Sequence, residues 1–470
     1  MKMKKNYYII ISCLLLNVMF SSCSGYLDNL PKGEKIPTTL ADFSTMLNYE
    51  YGVHREDVTQ AIILLNDRYV SPSYLNYYPM WSANYFWDTT ADRVKLNKSD
   101  EGTYYNAYGA ISTCNLVLEN VASSTDGTEA ERNIVAAQAR LIRAMRYFTL
   151  VNYYSKTYNA STADTDGGVP LITSAEVGAS FTQPSVKAIY DFILEDINAA
   201  LPNLPDKASN ILLPSKGAGY AFAARVYLQM SDYTNALSNA EKALAANSKL
   251  YDWNTFYAAN QTLLDNATKY QSIPSPMGFD YVENYNFCHA SASYASSESQ
   301  LRVDRGTKFE DGDIQFKCRW KKRTVGANTY YQSNLSGYFN KGGMTTTEVY
   351  LIKAECLART GKISEAMTVL NTVRKAKILT SQYADLTATT EAQAIEYIRR
   401  TKDNAMIQTI VPFCDNRRYN LESAYARTLT KTEGGKEYTL APDSYMWTMP
   451  FPQGATDNPG NGTLTQNVEK

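Results

Sequence analysis

Two aromatic stretches of the chain have the composition of a surface that stacks on sugar rings. The first runs Tyr77-Tyr78-Pro-Met-Trp81-Ser-Ala-Asn-Tyr85-Phe86-Trp87-Asp88, the second runs Tyr281-Val-Glu-Asn-Tyr285-Asn-Phe287, and Trp320 stands apart from both. Sugars present flat C–H faces that stack on Trp and Tyr, and their hydroxyl groups hydrogen-bond to polar side chains beside the rings. The candidate ligand-binding residues are therefore Tyr77, Trp81, Tyr85, Trp87, Asp88, Tyr281, Tyr285 and Trp320.

The same rings have a second interpretation, because aromatic side chains also pack loops onto a helical body. The chain contains 37 Tyr and 15 Phe. A protein interior needs Phe and Leu more than Tyr, so many of the Tyr hydroxyl groups are expected to reach water. The composition favours a recognition surface, and for each individual ring both interpretations remain open.

Catalytic motifs are missing from the sequence. It has no HExxH, no GxSxG, no phosphate-binding GxxxxGK[ST] and no dinucleotide fingerprint. Its two histidines, His54 and His289, are too few and too far apart in sequence for a metal cluster. Carboxylate pairs such as Asp311 and Asp313 could serve a glycosidase, but acidic residues this near to each other are common in loops. We therefore expect a binding protein without catalysis, metal or cofactor.

Charge and cysteine content exclude further classes. A net charge of −1 and a pI near 6.3 give no electrostatic footprint for nucleic acid. Cysteines occur without CxxC spacing, so neither a metal nor a redox motif is indicated. Cys288 and Cys318 could form a disulfide, although nothing in their spacing requires it.

The first residues are predicted to direct the chain to a membrane. Three lysines precede an apolar run at 7–20 that is too short for a comfortable transmembrane helix. The run ends in Phe20-Ser-Ser-Cys23, which resembles the lipobox of bacterial lipoproteins. We predict a signal peptide at 1–22 and a lipid anchor and tether at 23–39, with Cys23 acylated and the attachment effectively permanent. The alternative is ordinary signal cleavage, with Cys23 incidental.

Helix hairpins are predicted to form the scaffold that positions the aromatic stretches. Residues 347–377 show apolar helical periodicity interrupted at Gly361, with Ser364 as a candidate cap, and resemble a tetratricopeptide unit. Residues 224–236 align with 354–366 at an offset of 130 without a gap. The predicted fold is mostly α-helical, with such helices within 129–156, 186–247 and 347–377. A loop-rich half, predicted at 60–100 and 250–345, would carry the ligand-binding site in a single domain at 40–470.

Short segments spread along the chain form one recognisable order. They are Cys23 with Tyr26-Leu-Asp28 and Pro31, Ala139 to Tyr154, Gly168-Val-Pro-Leu171, Pro184-Ser-Val186 to Pro205, Glu348 to Glu355, Leu370-Asn-x-Val-Arg374, Pro450, Pro452, Asn458-Pro459 and Gln466-Asn467. Together these segments resemble the SusD/RagB family of outer-membrane nutrient-uptake lipoproteins. The resemblance covers nearly the whole length, and it departs from the family pattern at 410–419, which keeps Phe413 and an Arg pair but lacks Glu-Gly.

The resemblance implies four tetratricopeptide-like units on one side of the protein and the ligand site in an irregular half. It also implies a lipid-anchored protein on the outer membrane of a Gram-negative bacterium, exposed at the cell surface. Its partner would be a SusC-like TonB-dependent barrel transporter, over which it would act as a lid. The expected ligand is an oligosaccharide. Two alternatives remain, a peptide-capturing RagB-like lipoprotein and a repeat-based adaptor without a small ligand.

Overall fold

The computed structural model describes residues 36–98, 101–290 and 298–469. The predicted signal peptide (1–22), the predicted lipidation site Cys23 and the tether up to residue 35 lie outside the described residues. Among the helices that are described, none combines the length and the apolar character needed to cross a membrane.

Helices dominate the described chain, as predicted. They are α1 (Leu40–Leu47), α2 (Glu50–Val53), α3 (Thr59–Leu64), α4 (Pro72–Tyr77), α5 (Pro79–Phe86), α6 (Arg93–Leu96), α7 (Gly102–Asn120), α8 (Glu129–Tyr154), α9 (Val186–Ala200), α10 (Lys216–Gln229), α11 (Tyr233–Ala246), α12 (Trp253–Leu264), α13 (Val303–Gly306), α14 (Ile314–Arg319), α15 (Thr346–Arg359), α16 (Ile363–Lys377), α17 (Glu391–Ala405), α18 (Val411–Tyr419) and α19 (Gln453–Asp457). Two 3₁₀ turns, Val121–Ser123 and Tyr445–Trp447, complete them.

The strands of the described residues form three two-stranded sheets. They are β1 (Ile273–Pro274), β2 (Trp320–Val325), β3 (Asn328–Ser333), β4 (Leu335–Ser336), β5 (Leu429–Glu433) and β6 (Lys436–Leu440). β1 and β4 pair in parallel, whereas β2–β3 and β5–β6 are antiparallel hairpins. In the β2–β3 hairpin Trp320 lies opposite Ser333, and this register places alternate β3 side chains on one face.

The repeat predicted at an offset of 130 residues is present in the structure. The hairpin α10–α11 begins its helices at residues 216 and 233, and the hairpin α15–α16 begins its helices at 346 and 363, so both differ by 130. Each inter-helix turn contains a left-handed residue at the equivalent place, Ser231 (φ 60°) and Gly361 (φ 80°). The predicted cap Ser364 is wrong by two residues, because α16 begins after Lys362 and Ser364 lies in its first turn.

Buried ion pairs connect each hairpin to the element packed against it. Arg225 of α10 donates from Nε and Nη2 to both carboxylate oxygens of Glu348 of α15, at 2.7 and 2.6 Å. The residue equivalent to Arg225 in the second hairpin is Glu355 (225 + 130), whose Oε1 lies 2.8 Å from Nη1 of Arg418 in α18. The equivalent positions 225 and 355 thus carry opposite charges. Each charge is paired with an oppositely charged residue of another helix, Glu348 of α15 or Arg418 of α18.

Helix α8 lies at the centre of the main core. All its residues from 141 to 154 are buried, so this half of the helix is enclosed on every side. Its Arg143 is neutralised by Asp196 of α9, with Nε–Oδ2 and Nη2–Oδ1 distances of 2.8 Å. Helix α7 packs along α8, and the C-terminal segment packs at its end, where the Met449 amide donates to the Tyr153 carbonyl oxygen at 3.0 Å.

The prediction of irregular loops at 60–100 is wrong, because α3 to α6 occupy most of this stretch. These helices are four to eight residues long, which is too short for a 3.6-residue periodicity to be recognised in a sequence window. Pro72 and Pro79, at the first positions of α4 and α5, start the two helices that carry the first aromatic stretch. Residues 250–345 are less regular, although they include α12 to α14 and four of the strands.

The cysteines of the described residues are all free and buried, so the disulfide considered between Cys288 and Cys318 does not form. These five are Cys114, Cys288, Cys318, Cys356 and Cys414. Burial raises the pKa of the Cys288 thiol to about 11, so it stays protonated at neutral pH.

Candidate ligand-binding site

A cleft of about 690 Å³ opens where α4 and α5 face the β2–β3 hairpin and residues 298–300. A cavity of this size suits several sugar rings or a short peptide. Its wall combines rings with polar groups, among them Arg68, Tyr69, Tyr74, Trp81, Tyr330 and Lys341.

Three rings of α4 and α5 form an aromatic platform, defined here as Tyr74, Tyr78 and Trp81. The ring of Trp81 lies 4.5 Å from that of Tyr78 at an interplanar angle of 25°, and 6.2 Å from that of Tyr74 at 16°. Tyr78 is the single residue between the end of α4 and Pro79, which starts α5, so the kink between the helices brings the three rings into one stack. Tyr74 and Tyr78 are exposed, and Trp81 is half-buried and lines the cleft.

Arg68 lies against this platform. Its guanidinium carbon is 4.8 Å from the centre of the Trp81 ring, a cation–π distance. Burial lowers the pKa of Arg68, although the guanidinium stays charged at neutral pH. Arg68 therefore places a positive charge in the wall of the cleft, next to its largest exposed ring system.

A second pair of rings also lines the cleft. Tyr69, adjacent to Arg68, stacks on Tyr330 of β3 with ring centres 4.7 Å apart and an angle of 13°. The Tyr69 amide donates to the Gln300 carbonyl oxygen at 2.8 Å, which fixes this loop to the 298–300 segment. The platform and this pair thus both give the cleft aromatic surface.

A charged cluster supports the floor of the cleft. Glu298 is fully buried and accepts from Lys341 Nζ at 2.6 Å and from Arg319 Nε at 3.0 Å. Burial alone would raise the pKa of Glu298, but the two cations outweigh it and the pKa is lowered. Burial lowers the pKa of Lys341 to about 8, so the pair is ionised at neutral pH. Lys341 and Glu298 therefore find their ion-pair partners within the protein.

Gln408 connects three of the segments that build the cleft. Its Nε2 donates to the Ser299 carbonyl oxygen at 2.8 Å and to the Asp67 carbonyl oxygen at 3.2 Å. Gln408 has φ +62°, a left-handed conformation that costs a non-glycine residue about 1 kcal/mol. The hydrogen bonds of the side chain oppose this cost and hold residues 67–69 against 298–300.

A second cavity, of about 720 Å³, lies near the end of α8. Among the residues lining it, Lys156 and Asp166 form an ion pair at 2.7 Å, and Trp447 is buried with its Nε1 donating to the Ala441 carbonyl oxygen at 2.9 Å. Because these groups are already paired or buried, the cleft at Trp81 is the better candidate, despite being slightly smaller.

Comparisons with known proteins agree on one family. A family model described as SusD-like, starch-binding associating with outer membrane, matches residues 25–228. The SusD-like protein P2 of Formosa agariphila is 26% identical over 216 residues, which are 44% of this chain and about two fifths (39%) of that protein. A solved SusD superfamily protein from Bacteroides thetaiotaomicron has a TM-score of 0.69 at 16% identity, with 92% of this chain and 100% of that chain covered.

A solved SusD-like carbohydrate binding protein from Bacteroides vulgatus gives a TM-score of 0.67 at 18% identity, again covering 92% of this chain and 100% of that chain. The chain is similar to the SusD-like family over residues 25–228, and it shares the SusD-like fold over 92% of its length. The resemblance to this family and the mostly helical SusD-like fold predicted from the sequence are confirmed.

Three of the predicted site residues lie at the surface of the first aromatic stretch. Trp81 lines the cleft, and Tyr77 is 75% exposed and packs edge-on against Tyr78 at 4.7 Å. Asp88 is exposed, and its Oδ1 accepts from the Thr90 hydroxyl at 2.6 Å and from the Thr90 amide at 2.9 Å. These hydrogen bonds lower the pKa of Asp88, whose role is to close a turn beyond α5.

Tyr85 and Trp87, from the same stretch, are buried beneath the platform. Tyr85 is 1% exposed and hydrogen-bonds through its hydroxyl to Glu433 and Arg302. Trp87 follows α5 in a left-handed conformation (φ 50°), which turns its ring inward, and its Nε1 donates to the Leu64 carbonyl oxygen at 2.7 Å. Neither ring offers a free face for stacking, so we leave both out of the site proposed below.

The candidates of the second stretch, Tyr281 and Tyr285, and the separate Trp320 are also buried. The Tyr285 hydroxyl donates to the Asn247 carbonyl oxygen at 2.6 Å, at the end of α11. Trp320 Nε1 donates to the Ser299 carbonyl oxygen at 3.4 Å, so Trp320 supports the cleft from behind. The burial of these rings fits the packing alternative that the sequence left open for each of them.

Arg68, Tyr69 and Tyr330 line the cleft, but the sequence did not identify them. Arg68 and Tyr69 stand in a short connection between α3 and α4, and Tyr330 stands in β3, about 260 residues further along. No local pattern marks them, because they meet only through the tertiary packing of these segments. The exposed Tyr74 and Tyr78 belong to the aromatic stretch that the sequence did single out.

Proposed function

We propose that this SusD-like protein binds an oligosaccharide in the cleft between the aromatic platform and the Tyr69–Tyr330 pair. The platform carries the proposal, because three nearly parallel rings, Tyr74 and Tyr78 exposed and Trp81 half-buried in the cleft wall, give an apolar surface against which sugar rings can pack. The matching family is described as starch-binding, and the Bacteroides vulgatus relative is named a carbohydrate binding protein; both support the same ligand class.

The proposed contact residues are Trp81, Tyr74, Tyr78 and Tyr77 for stacking, with Arg68 and the cleft amides for hydrogen bonds to hydroxyl groups. Gln271, Gln300 and Asn328 line the cleft beside the rings and supply both donors and acceptors. The protein would capture its ligand without chemical turnover. In the described residues no group of three or more His, Cys, Asp or Glu is placed to hold a metal ion.

The test is affinity measurement by calorimetry against a panel of oligosaccharides, with wild type, Trp81→Ala and Tyr49→Ala. Tyr49 is 63% exposed and does not line the cleft, so its variant controls for the loss of an exposed ring. Losing one stacking partner should weaken binding at least about tenfold for Trp81→Ala, whereas Tyr49→Ala should bind like wild type. Unchanged affinity of a folded Trp81→Ala protein would remove the platform from the site.

Peptides belong in the same panel. Binding of peptides without binding of any oligosaccharide would replace the proposed ligand by the peptide alternative. If neither class binds but a protein partner does, the adaptor alternative would be favoured. Incubation with each bound oligosaccharide should leave it intact, and the appearance of shorter products would contradict a function without turnover.

Delivery to a SusC-like TonB-dependent transporter is the second part of the proposal. It rests on the family, whose description includes association with the outer membrane, and on the predicted anchor at Cys23. Expressed with the barrel transporter, the protein should co-purify with it from outer membranes. Cys23→Ala should release the protein from the membrane fraction, and continued attachment would refute the lipid anchor.

A further inference from the structure

The charges that line the cleft are not balanced. Its two cations are Arg68 and Lys341, and Glu298 is its one acid among the described residues. Lys341 and Glu298 form an ion pair at 2.6 Å, and Arg319 approaches the same carboxylate from behind. Arg68 is therefore left without an opposite charge in the described wall of the cleft.

Arg68 also forms no hydrogen bond or ion pair with any other described residue. Its guanidinium is placed by its contact with the Trp81 ring at 4.8 Å and by the fixed backbone of its neighbour Tyr69. The acid that most affects its pKa electrostatically, Asp57, accepts hydrogen bonds from the Thr59 amide at 3.0 Å and hydroxyl at 2.6 Å. Residues 291–297, which border the cleft in sequence and lie outside the described residues, contain no charged side chain.

Arg68 lies over the Trp81 ring, which also stacks on Tyr78, so a ligand bound at the platform beside Trp81 must cover part of this guanidinium. A neutral ligand would remove water from the charge without providing an opposite charge, and this desolvation opposes binding. A carboxylate or sulfate group would instead accept two parallel N–H hydrogen bonds from the planar guanidinium. The stacked arrangement keeps Arg68 ordered before the ligand arrives, so little side-chain freedom is lost on binding.

We infer that the cleft selects acidic oligosaccharides, and that Arg68 is the specificity-determining residue that receives a carboxylate or sulfate group of a sugar bound at the platform beside Trp81. This inference rests on the proposed binding of oligosaccharide in the cleft. Beyond the proposed function, the inference specifies that the ligand is negatively charged and that Arg68 recognises this charge.

The test compares acidic oligosaccharides with neutral counterparts of equal length. Oligogalacturonides and their methyl-esterified forms test whether a carboxylate is recognised. Carrageenan oligosaccharides and their desulfated forms test whether a sulfate is recognised. Calorimetry should show at least one acidic probe binding tenfold or more tightly than its neutral counterpart. The affinity of that probe should fall as NaCl is raised, because the Arg68 contact is only partly shielded from salt.

Variants of Arg68 test whether this side chain causes the preference for acidic oligosaccharides. Arg68→Gln should lose about tenfold to hundredfold in affinity for the acidic probe, the range typical for hydrogen bonds to charged groups, and should bind the neutral probe as wild type does. Arg68→Lys should recover part of the loss, since it keeps the charge but not the planar pair of donors. Lys207→Gln, which removes an exposed charge that does not line the cleft, is the control and should bind like wild type.

The outcomes separate the two levels of the proposal. If neutral probes bind as tightly as acidic ones, or if Arg68→Gln weakens both equally, the inference is overturned while oligosaccharide binding stands. If Arg68→Gln and Lys207→Gln lose equal affinity, general charge rather than Arg68 provides the preference, which also overturns it. If the wild-type protein binds no oligosaccharide of either kind, the proposed function fails together with the inference.

Discussion

Charge removal at Glu348 should destabilise the protein strongly, because its partner Arg225 would remain buried without a counter-charge. The pair joins the first helices of the two repeat hairpins through two hydrogen bonds of 2.7 and 2.6 Å, and the side chains are 8% and 0% exposed. Burial alone would lower the pKa of Arg225, but Glu348 outweighs it and raises that pKa. Removal of one partner from such a pair costs about 3–5 kcal/mol.

Glu348→Gln is the informative change, because Gln has nearly the volume of Glu and leaves no cavity. The assay is urea-induced unfolding followed by circular dichroism, compared with Glu241→Gln. Glu241 pairs with Lys353 of the same helix as Glu348 at 3.1 Å, but these side chains are 53% and 26% exposed. An exposed pair contributes about 0–1 kcal/mol, so Glu241→Gln should change the free energy of unfolding very little.

The double variant Arg225→Met with Glu348→Leu should be more stable than either single variant, because no unpaired charge remains. Two results would refute the reasoning. One is a Glu348→Gln protein destabilised by no more than Glu241→Gln. The other is a double variant whose loss of unfolding free energy equals the sum of the two single losses.

Three further predictions concern individual residues. Burial lowers the pKa of His54 from 6.5 to about 4, so between these values the unfolded state binds a proton that the folded state does not. Stability should therefore rise with pH across that window by up to about 3 kcal/mol in wild type relative to His54→Gln. The difference between the two proteins is the quantity to measure, because burial raises the pKa of Asp313 and of Asp403 to about 6, which acts in the opposite direction. If the unfolding free energies of wild type and His54→Gln depended on pH in the same way, a lowered pKa of His54 in the folded protein would be contradicted. Gly168→Ala should lower the thermal midpoint, because a Cβ there would lie 2.6 Å from a backbone carbonyl oxygen, whereas Gly109→Ala, in an open helical position, should raise it. A rise for Gly168→Ala would show that the close contact relaxes freely. The five buried thiols should react with Ellman's reagent only after unfolding, in protein produced without residues 1–23, and rapid labelling of the native protein would show that one of them is accessible.

Long helices were predictable because their amphipathic pattern extends over several turns. Helix α8 lies within the predicted range 129–156, and the helices of the two hairpins begin at positions that differ by the predicted offset of 130 residues. Periodicity of this kind reflects burial of one helix face against neighbouring helices, so it is recorded in the sequence itself. The short helices of 60–100 carry no such record.

The exposure of individual rings was not predictable. Trp81 and Trp87 are six residues apart in one aromatic stretch, yet Trp81 lines the cleft and Trp87 is buried. The difference follows from the left-handed backbone of Trp87 at the end of α5 and from a hydrogen bond to Leu64. Both depend on tertiary packing, since Trp disfavours that conformation in isolation.

The sequence by itself determined the family resemblance, the helical scaffold and the aromatic stretch that supplies Trp81, since these depend on residue type and local spacing. Only the tertiary structure determined which residues line the cleft. It brings Arg68 and Tyr69 beside Tyr330 and Gln408, residues that are separated by more than 250 positions from the first pair. It also pairs Lys341 with Glu298, which leaves Arg68 as the unmatched charge of the described wall. Such a balance of charges depends on which groups are neighbours in space, and no local sequence pattern contains that information.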